Sequence, residues 1–249
     1  MNSTPLRIAH GYGNHRQLLE RALIGPVDLI EADIWHRVGQ FWVRHERRLI
    51  FPPMLYDNRP RHKNPLGAYT IPIGPRWYIR PDIRPVRLAE LLEKAKGKRK
   101  LLLDLKGGYG RLAELSFAES LANLLVSCGM EEEAYICGQN WSLLDRVREV
   151  APQLQVRFSI ERPTQWQNFS RRLAAGERID GICLHRALMN GDMARFLGER
   201  SIEAFCWTVN EPQEASRLLA LDVAGIISDD LLLLGSLEAP ASTPEEANS

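Results

Sequence analysis

The chain has little cysteine, no excess of charge of either sign and no long apolar run. Four cysteines occur in 249 residues (Cys128, Cys137, Cys183, Cys206). None stands in a CxxC or comparable spacing, so neither a zinc module nor a disulfide framework is legible. They read as free, mostly buried thiols in a reducing compartment. Lys and Arg number 32 against 31 Asp and Glu, a net charge of +1. With no basic excess and no recognisable module, nucleic acid is not an expected partner. No stretch approaches the roughly 20 apolar residues that cross a bilayer. Residues 1–8 are polar and carry no apolar signal segment, so the protein is expected to be soluble and cytoplasmic. Missing too is a GxGxxG after the first strand, the usual mark of an open dinucleotide-binding sheet.

What is present is a rhythm. Strand-like runs at 7–10, 28–34, 100–106, 134–137, 155–160, 181–185, 203–209 and 225–228 alternate with helix-like runs. The helices are expected at 14–24, 87–95, 111–127, 140–150, 164–175, 190–199, 211–220 and 230–237, and 39–45 reads as a short continuation or hairpin. Strands alternating with helices imply a parallel sheet. Eight such units in about 240 residues point to a closed (β/α)8 TIM barrel. The barrel is expected to occupy 1–237 as a single domain, followed by a disordered tail over 238–249 that is rich in Pro, Ala, Ser, Thr and Glu.

One segment breaks the rhythm. Residues 47–87 hold eight of the fifteen prolines and nine Lys or Arg against two acids. The segment reads as a long basic loop inserted after the second strand. It is either a solvated loop or a lid that draws in an anionic substrate.

Polar groups fall at the strand ends. In a strand, residues two apart share a face. Glu31 and Asp33 therefore share one, as do Asp104 and Lys106. Three carboxylates and an ammonium in apolar strands are costly to bury unless they pair or bind a cation. His10 ends the first strand and His45 follows the second. His185, Trp207 and Asp229 end the sixth, seventh and eighth. In a barrel these ends converge on one mouth, where reactive groups sit.

This order of residues resembles the glycerophosphodiester phosphodiesterase family. The marks are His10 before a turn, Glu31-x-Asp33, His45, Asp104-Leu-Lys106, Trp207-Thr208-Val209-Asn210 and Gly225-Ile-Ile-Ser-Asp229. Asp104-Leu-Lys106, in place of Glu-Ile-Lys, and Asn14, four residues after His10, are closer to the related sphingomyelinase D-type phospholipases. The resemblance implies a barrel that cleaves phosphodiesters, with His10 and His45 sharing the general base and acid roles. Glu31, Asp33 and Asp104 would hold a divalent metal, Mg2+ or Ca2+ by the hardness of their oxygens. Lys106 would bind a phosphoryl oxygen, and Trp207 and Asn14 would touch substrate. The implied substrates are glycerophosphodiesters or lysophospholipids, with transient contact to a membrane surface and a cyclic phosphate as one possible product. Two positions depart from the pattern: Gly11 stands where the family usually carries Arg, and Glu46 where it carries Asp. Arg44 and Arg80 are the arginines nearest to hand as replacements. The competing reading is a non-catalytic barrel that binds phosphate-bearing ligands or an anionic membrane surface. Trp207 and His185 also read as structural residues, and Asp229 reads as the cap of the last helix.

Overall fold

The structure, a computed structural model, describes residues 4–45, 54–56, 71–73, 77–79 and 86–237. Among these, eight parallel strands close on themselves. They are β1 (Leu6–Ala9), β2 (Leu29–Arg37), β8 (Lys100–Leu105), β9 (Ala134–Gly138), β10 (Gln155–Ile160), β11 (Gly181–His185), β12 (Glu203–Trp207) and β13 (Gly225–Ser228). Each pairs with its neighbour in chain order, and β1 pairs with both β2 and β13. That double pairing is what makes the sheet a barrel. The expected (β/α)8 architecture is the observed one.

The helices follow their strands: α1 (Arg16–Ile24), α2 (Leu88–Ala95), α3 (Arg111–Cys128), α4 (Trp141–Val150), α5 (Pro163–Ala174), α6 (Gly191–Gly198), α7 (Pro212–Leu219) and α8 (Leu231–Ser236). In α2 the buried residues are Leu88, Leu91, Leu92 and Ala95, one stripe at helical spacing that packs on the barrel. Local signals set several starts. Asn140, Asn190 and Asp230 each accept from backbone N–H groups in the first turn of α4, α6 and α8. Asp230 is thus the cap of α8, which corrects the reading of Asp229 in that role.

The second barrel strand runs on into an antiparallel hairpin with β3 (Gln40–Val43), and β7 (Val86–Arg87) pairs with β3 in turn. Between them lies the basic segment. Three short strands in it, β4 (Met54–Tyr56), β5 (Ile71–Ile73) and β6 (Trp77–Ile79), form their own antiparallel sheet in the order β4-β6-β5. The sequence reads as a long basic loop there, solvated or a lid. Runs of three residues are too short to show an alternation, so pairing between them left no local trace. The rest of the insertion and the tail over 238–249 lie outside the described residues.

The barrel interior is layered. Ile8, Leu29, Leu102, Tyr135, Phe205 and Ile227 fill its middle. Towards the N-terminal ends sits Arg157, 3 % exposed, its guanidinium 3.8 Å from the Phe205 ring centroid and 5.0 Å from that of Tyr135. It pairs with the carboxylate of Glu203. Gly181 makes this possible: a Cβ there would stand 2.0 Å from Arg157 Nη1. The polar residues left over from this packing emerge at the opposite, C-terminal rim.

Candidate active site

A cavity of about 750 Å3 opens at that rim. His10, Glu31, Asp33, His45, Asp104, Lys106 and Trp207 all line it. Seven of the eight residues given site roles from the sequence therefore meet in one place. The strand register explains why. Asp33 is paired with Asp104 and Glu31 with Leu102 across β2 and β8, so Asp33 and Asp104 share one level and Glu31 lies at the next, all on one inward face. Asn14, the eighth, stands behind the cavity. Its side-chain amide donates to Asp33 Oδ2 at 2.5 Å, and its Oδ1 accepts from the Asp33 backbone N–H at 2.9 Å.

One oxygen from each of Glu31, Asp33 and Asp104 lies within 4.8 Å of the other two. Lys106 Nζ stands 2.7 Å from Asp33 Oδ1 and also pairs with Asp104. One ammonium does not balance three carboxylates. Burial, with the Asp33 charge adding to it, pushes the Glu31 carboxyl up to about 8. Burial likewise raises Asp104. Asp33 moves the other way: burial opposes ionisation, but the Lys106 ammonium and the His45 ring outweigh it. Asp104 Oδ1 is buried and has no hydrogen-bond partner among the described residues. Three carboxylates within reach of one another, one with a buried unpartnered oxygen, in a site short of positive charge could hold a divalent cation.

The histidine at the end of β1 is held from below. His10 Nδ1 is 2.8 Å from Asp229 Oδ1. Asp229 is itself fixed: Asn210 Nδ2 donates to its Oδ2 at 2.8 Å, and Tyr12 Oη donates to its backbone carbonyl at 3.0 Å. The Ser228 hydroxyl donates to Asn210 Oδ1 at 2.9 Å. Burial works against a charged His10 ring, but Asp229, and then Glu31 and Asp33, outweigh it and raise the pKa to about 9. The next residue, Gly11, takes a left-handed φ of 69° and donates its N–H to Glu31 Oε2 at 2.5 Å. That conformation favours glycine over the arginine usual at this position.

Four cavity residues were not anticipated: Gln139, Ser159, Glu161 and Arg186 also line the wall, as do Thr208 and Asn210 of the motif that follows Trp207. Gln139 follows Cys137 by two residues and Glu161 follows Ser159 by two, so strand period was the available signal. Arg186 is an arginine on the wall; Arg44 is not among the lining residues, and Arg80 lies outside the described residues. His185 and Trp207 stack edge to face, ring centroids 5.1 Å apart. Of the remaining histidines, His15 caps α1 and His36 sits between Phe41 and Phe117, while His62 lies outside the described residues.

A family model described as the glycerophosphoryl diester phosphodiesterase family matches residues 87–233, more than half of the chain. The chain belongs to this family. A search of curated proteins by sequence returns no match. Among solved structures, the fold is similar to the protein from Silicibacter pomeroyi assigned as a glycerophosphoryl diester phosphodiesterase. That pair has TM-score 0.75 and 19% identity over 94% of this chain and 92% of that one. It is similar to the glycerophosphodiester phosphodiesterase of Thermotoga maritima, with TM-score 0.65 and 17% identity over 96% and 100% of the two chains. It is also similar to an Oleispira antarctica phosphodiesterase in complex with the product sn-glycerol-3-phosphate, with TM-score 0.65 and 16% identity over 91% and 93%. Within the glycerophosphoryl diester phosphodiesterase family, then, this member has glycine after its first cavity histidine. No described helix is long and apolar enough to cross a membrane.

Proposed function

We propose that the chain is a metal-dependent phosphodiesterase acting on glycerophosphodiesters by acid–base catalysis from two histidines. The observation that carries this is the meeting of His10 and His45 with three carboxylates on one cavity wall. A divalent ion held by Glu31, Asp33 and Asp104 would supply Lewis-acid polarisation of a phosphoryl oxygen. Lys106, beside the same carboxylates, would offer its ammonium to the phosphate as a point charge.

The proton carriers can be told apart. His10, paired with Asp229 and raised to about 9, is an imidazolium at neutral pH. It suits the acid that protonates the departing alkoxide. His45 then takes the proton from the nucleophile. A new P–O bond forms on one side of phosphorus as the P–O bond to the alcohol breaks on the other. If the nucleophile is water, the open phosphomonoester results. If it is a neighbouring hydroxyl of the glycerol, a cyclic phosphate forms first. Lysophospholipids, which share that glycerophosphodiester unit, are the second substrate class, reached by contact of the rim with a lipid surface. Trp207, stacked on His185, would pack beside the alcohol. Asn14 serves by holding Asp33.

Phosphorus NMR of the protein with glycerophosphocholine, and separately with lysophosphatidylcholine, tests this. The expected result is turnover with Mg2+ or Ca2+ that stops on adding EDTA. Turnover unaffected by EDTA removes the metal role. No turnover of any phosphodiester leaves a phosphate-binding barrel, the reading that Gly11 in place of arginine favours.

A further inference from the structure

The cavity wall across from the acid cluster carries two opposite charges that have no part in the roles above. Round the closed barrel, β11 lies four strands from β2, so the chain leaving β10 and β11 faces Glu31 and Asp33 across the mouth. Glu161 directly follows β10, Arg186 directly follows β11, and both line the cavity. Ile160 pairs with Leu184, so the register carries Glu161 to the level of His185 and Arg186 one residue higher on the neighbouring chain. Neither charge is used up. Gln139 Nε2 donates to Glu161 Oε2 at 3.0 Å, and a neutral amide does not neutralise a carboxylate. Arg186 Nη1 stands 3.6 Å from Glu214 Oε1, but Glu214 already accepts from Arg217 Nε and Nη2 at 2.9 Å each. That one long contact leaves a guanidinium with donors to spare. The Arg186 backbone is fixed, by contrast. Its N–H donates to the Trp207 carbonyl at 2.9 Å, and its carbonyl accepts from Arg217 Nη2 at 3.0 Å.

A ligand that meets both groups needs a cation and an anion on one short fragment. An α-amino acid is the smallest such unit. Its ammonium donates to a carboxylate, and its carboxylate matches the planar fork of an arginine. A quaternary ammonium fits less well, because it has no N–H to donate and is held best by several aromatic faces. Among the described residues of this cavity, Trp207 is the sole Trp, Tyr or Phe. We propose that Glu161 and Arg186 form a subsite for the head alcohol of the diester and select a serine head over ethanolamine, choline or glycerol. With the phosphate at the acid cluster, the amino and carboxylate groups of such a head lie on the far side of the ester oxygen, towards this wall. The same serine phosphodiester occurs in free glycerophosphoserine and in lysophosphatidylserine. Its turnover rests on the proposed function; its selective binding does not.

The test is competition. The full chain, with Mg2+ or Ca2+, is given an equimolar mixture of glycerophosphoserine, glycerophosphoethanolamine, glycerophosphocholine and glycerophosphoglycerol. Phosphorus NMR follows each, and relative consumption reads relative kcat/KM. The serine diester should lead the ethanolamine diester by at least about tenfold, the worth of one charge-assisted hydrogen bond. Arg186→Gln should abolish that lead. Glu161→Gln should lower the serine and ethanolamine diesters against the glycerol diester. A change that merely loosens the fold lowers all the rates together and leaves their ratios alone. A second mixture, lysophosphatidylserine with lysophosphatidylethanolamine, tells the lipid source from the free one, and a serine lead in either mixture supports the subsite. No serine lead in both mixtures, a lead that survives Arg186→Gln, or ratios unmoved by Glu161→Gln overturns it. If no diester is turned over, the proposed function fails and calorimetric titration with glycerophosphoserine and glycerophosphoethanolamine decides the subsite. Tighter binding of the serine compound then retains it, and equal or absent binding overturns it.

Discussion

His10 is the residue on which most of the proposed chemistry rests. Its ring is half turned to the cavity and half tied to Asp229, which is held in turn by Asn210 and Tyr12. His10→Ala and His45→Ala should each lower turnover by about 10²–10⁴-fold, the usual worth of a positioned acid or base; wild-type rates for either remove that residue from the mechanism. Asp229 acts through His10, so its test is the pH profile. With His10 raised to about 9, the imidazolium acid is present below that pH, and kcat/KM should fall as pH rises through it. Asp229→Asn removes the charge that outweighs burial. The alkaline limb should then move to lower pH by at least about one unit, and a limb that stays in place contradicts the pairing. The same shift is a stability term. A raised histidine contributes fully below its unfolded pKa, and the contribution is lost as pH rises through about 9.

At the scale of elements, glycines decide what can come close. The first helix was expected to begin at 14, but the chain first makes a single 3-10 turn, Tyr12–Asn14, and α1 starts at Arg16. Gly13 explains the detour. A Cβ there would stand 2.5 Å from Ala32 Cβ, so only glycine lets the turn lie on β2, where Asn14 can reach Asp33. The floor of the barrel follows the same logic at Gly181, whose missing side chain leaves room for Arg157. Arg157 is wedged between Phe205 and Tyr135 and cannot swing aside freely. Gly181→Ala should therefore destabilise the fold by about 1–3 kcal/mol, the range for overpacking a filled interior. Urea denaturation measures this as a lower midpoint at unchanged slope.

For the whole molecule, the site is a product of closure. His10 lies 219 residues from Asp229 in the chain, and the two touch only because β1 pairs with β13 to complete the barrel. An ion that binds the folded acid cluster and not the unfolded chain must stabilise the fold. At a concentration of 100 Kd the gain is about 2.7 kcal/mol. Mg2+ or Ca2+ should raise the melting temperature of the wild type, EDTA should reverse the rise, and Glu31→Gln should blunt it. A melting temperature indifferent to every divalent ion would argue that the three carboxylates are a structural network around Lys106. Charge is unevenly spread at this scale too. Residues 47–87 hold nine Lys or Arg and two acids, which leaves 23 Lys or Arg against 29 acids in the rest of the chain.

Local periodicity was enough to determine much of this. Alternation of strand and helix, repeated eight times, implied the barrel. The two-residue period put Glu31 with Asp33 and Asp104 with Lys106, because side chains on one strand face are set by the backbone pleat alone. What the pleat cannot carry is distance between strands. That Asp229 supports His10 while Asp230 caps α8, that Arg186 rather than Arg44 lines the cavity, and that Cys137 and Cys183 line one cavity from either side of β10 were decided only when the sheet closed. Closure brings together residues whose separation in the chain bears no relation to their separation in space.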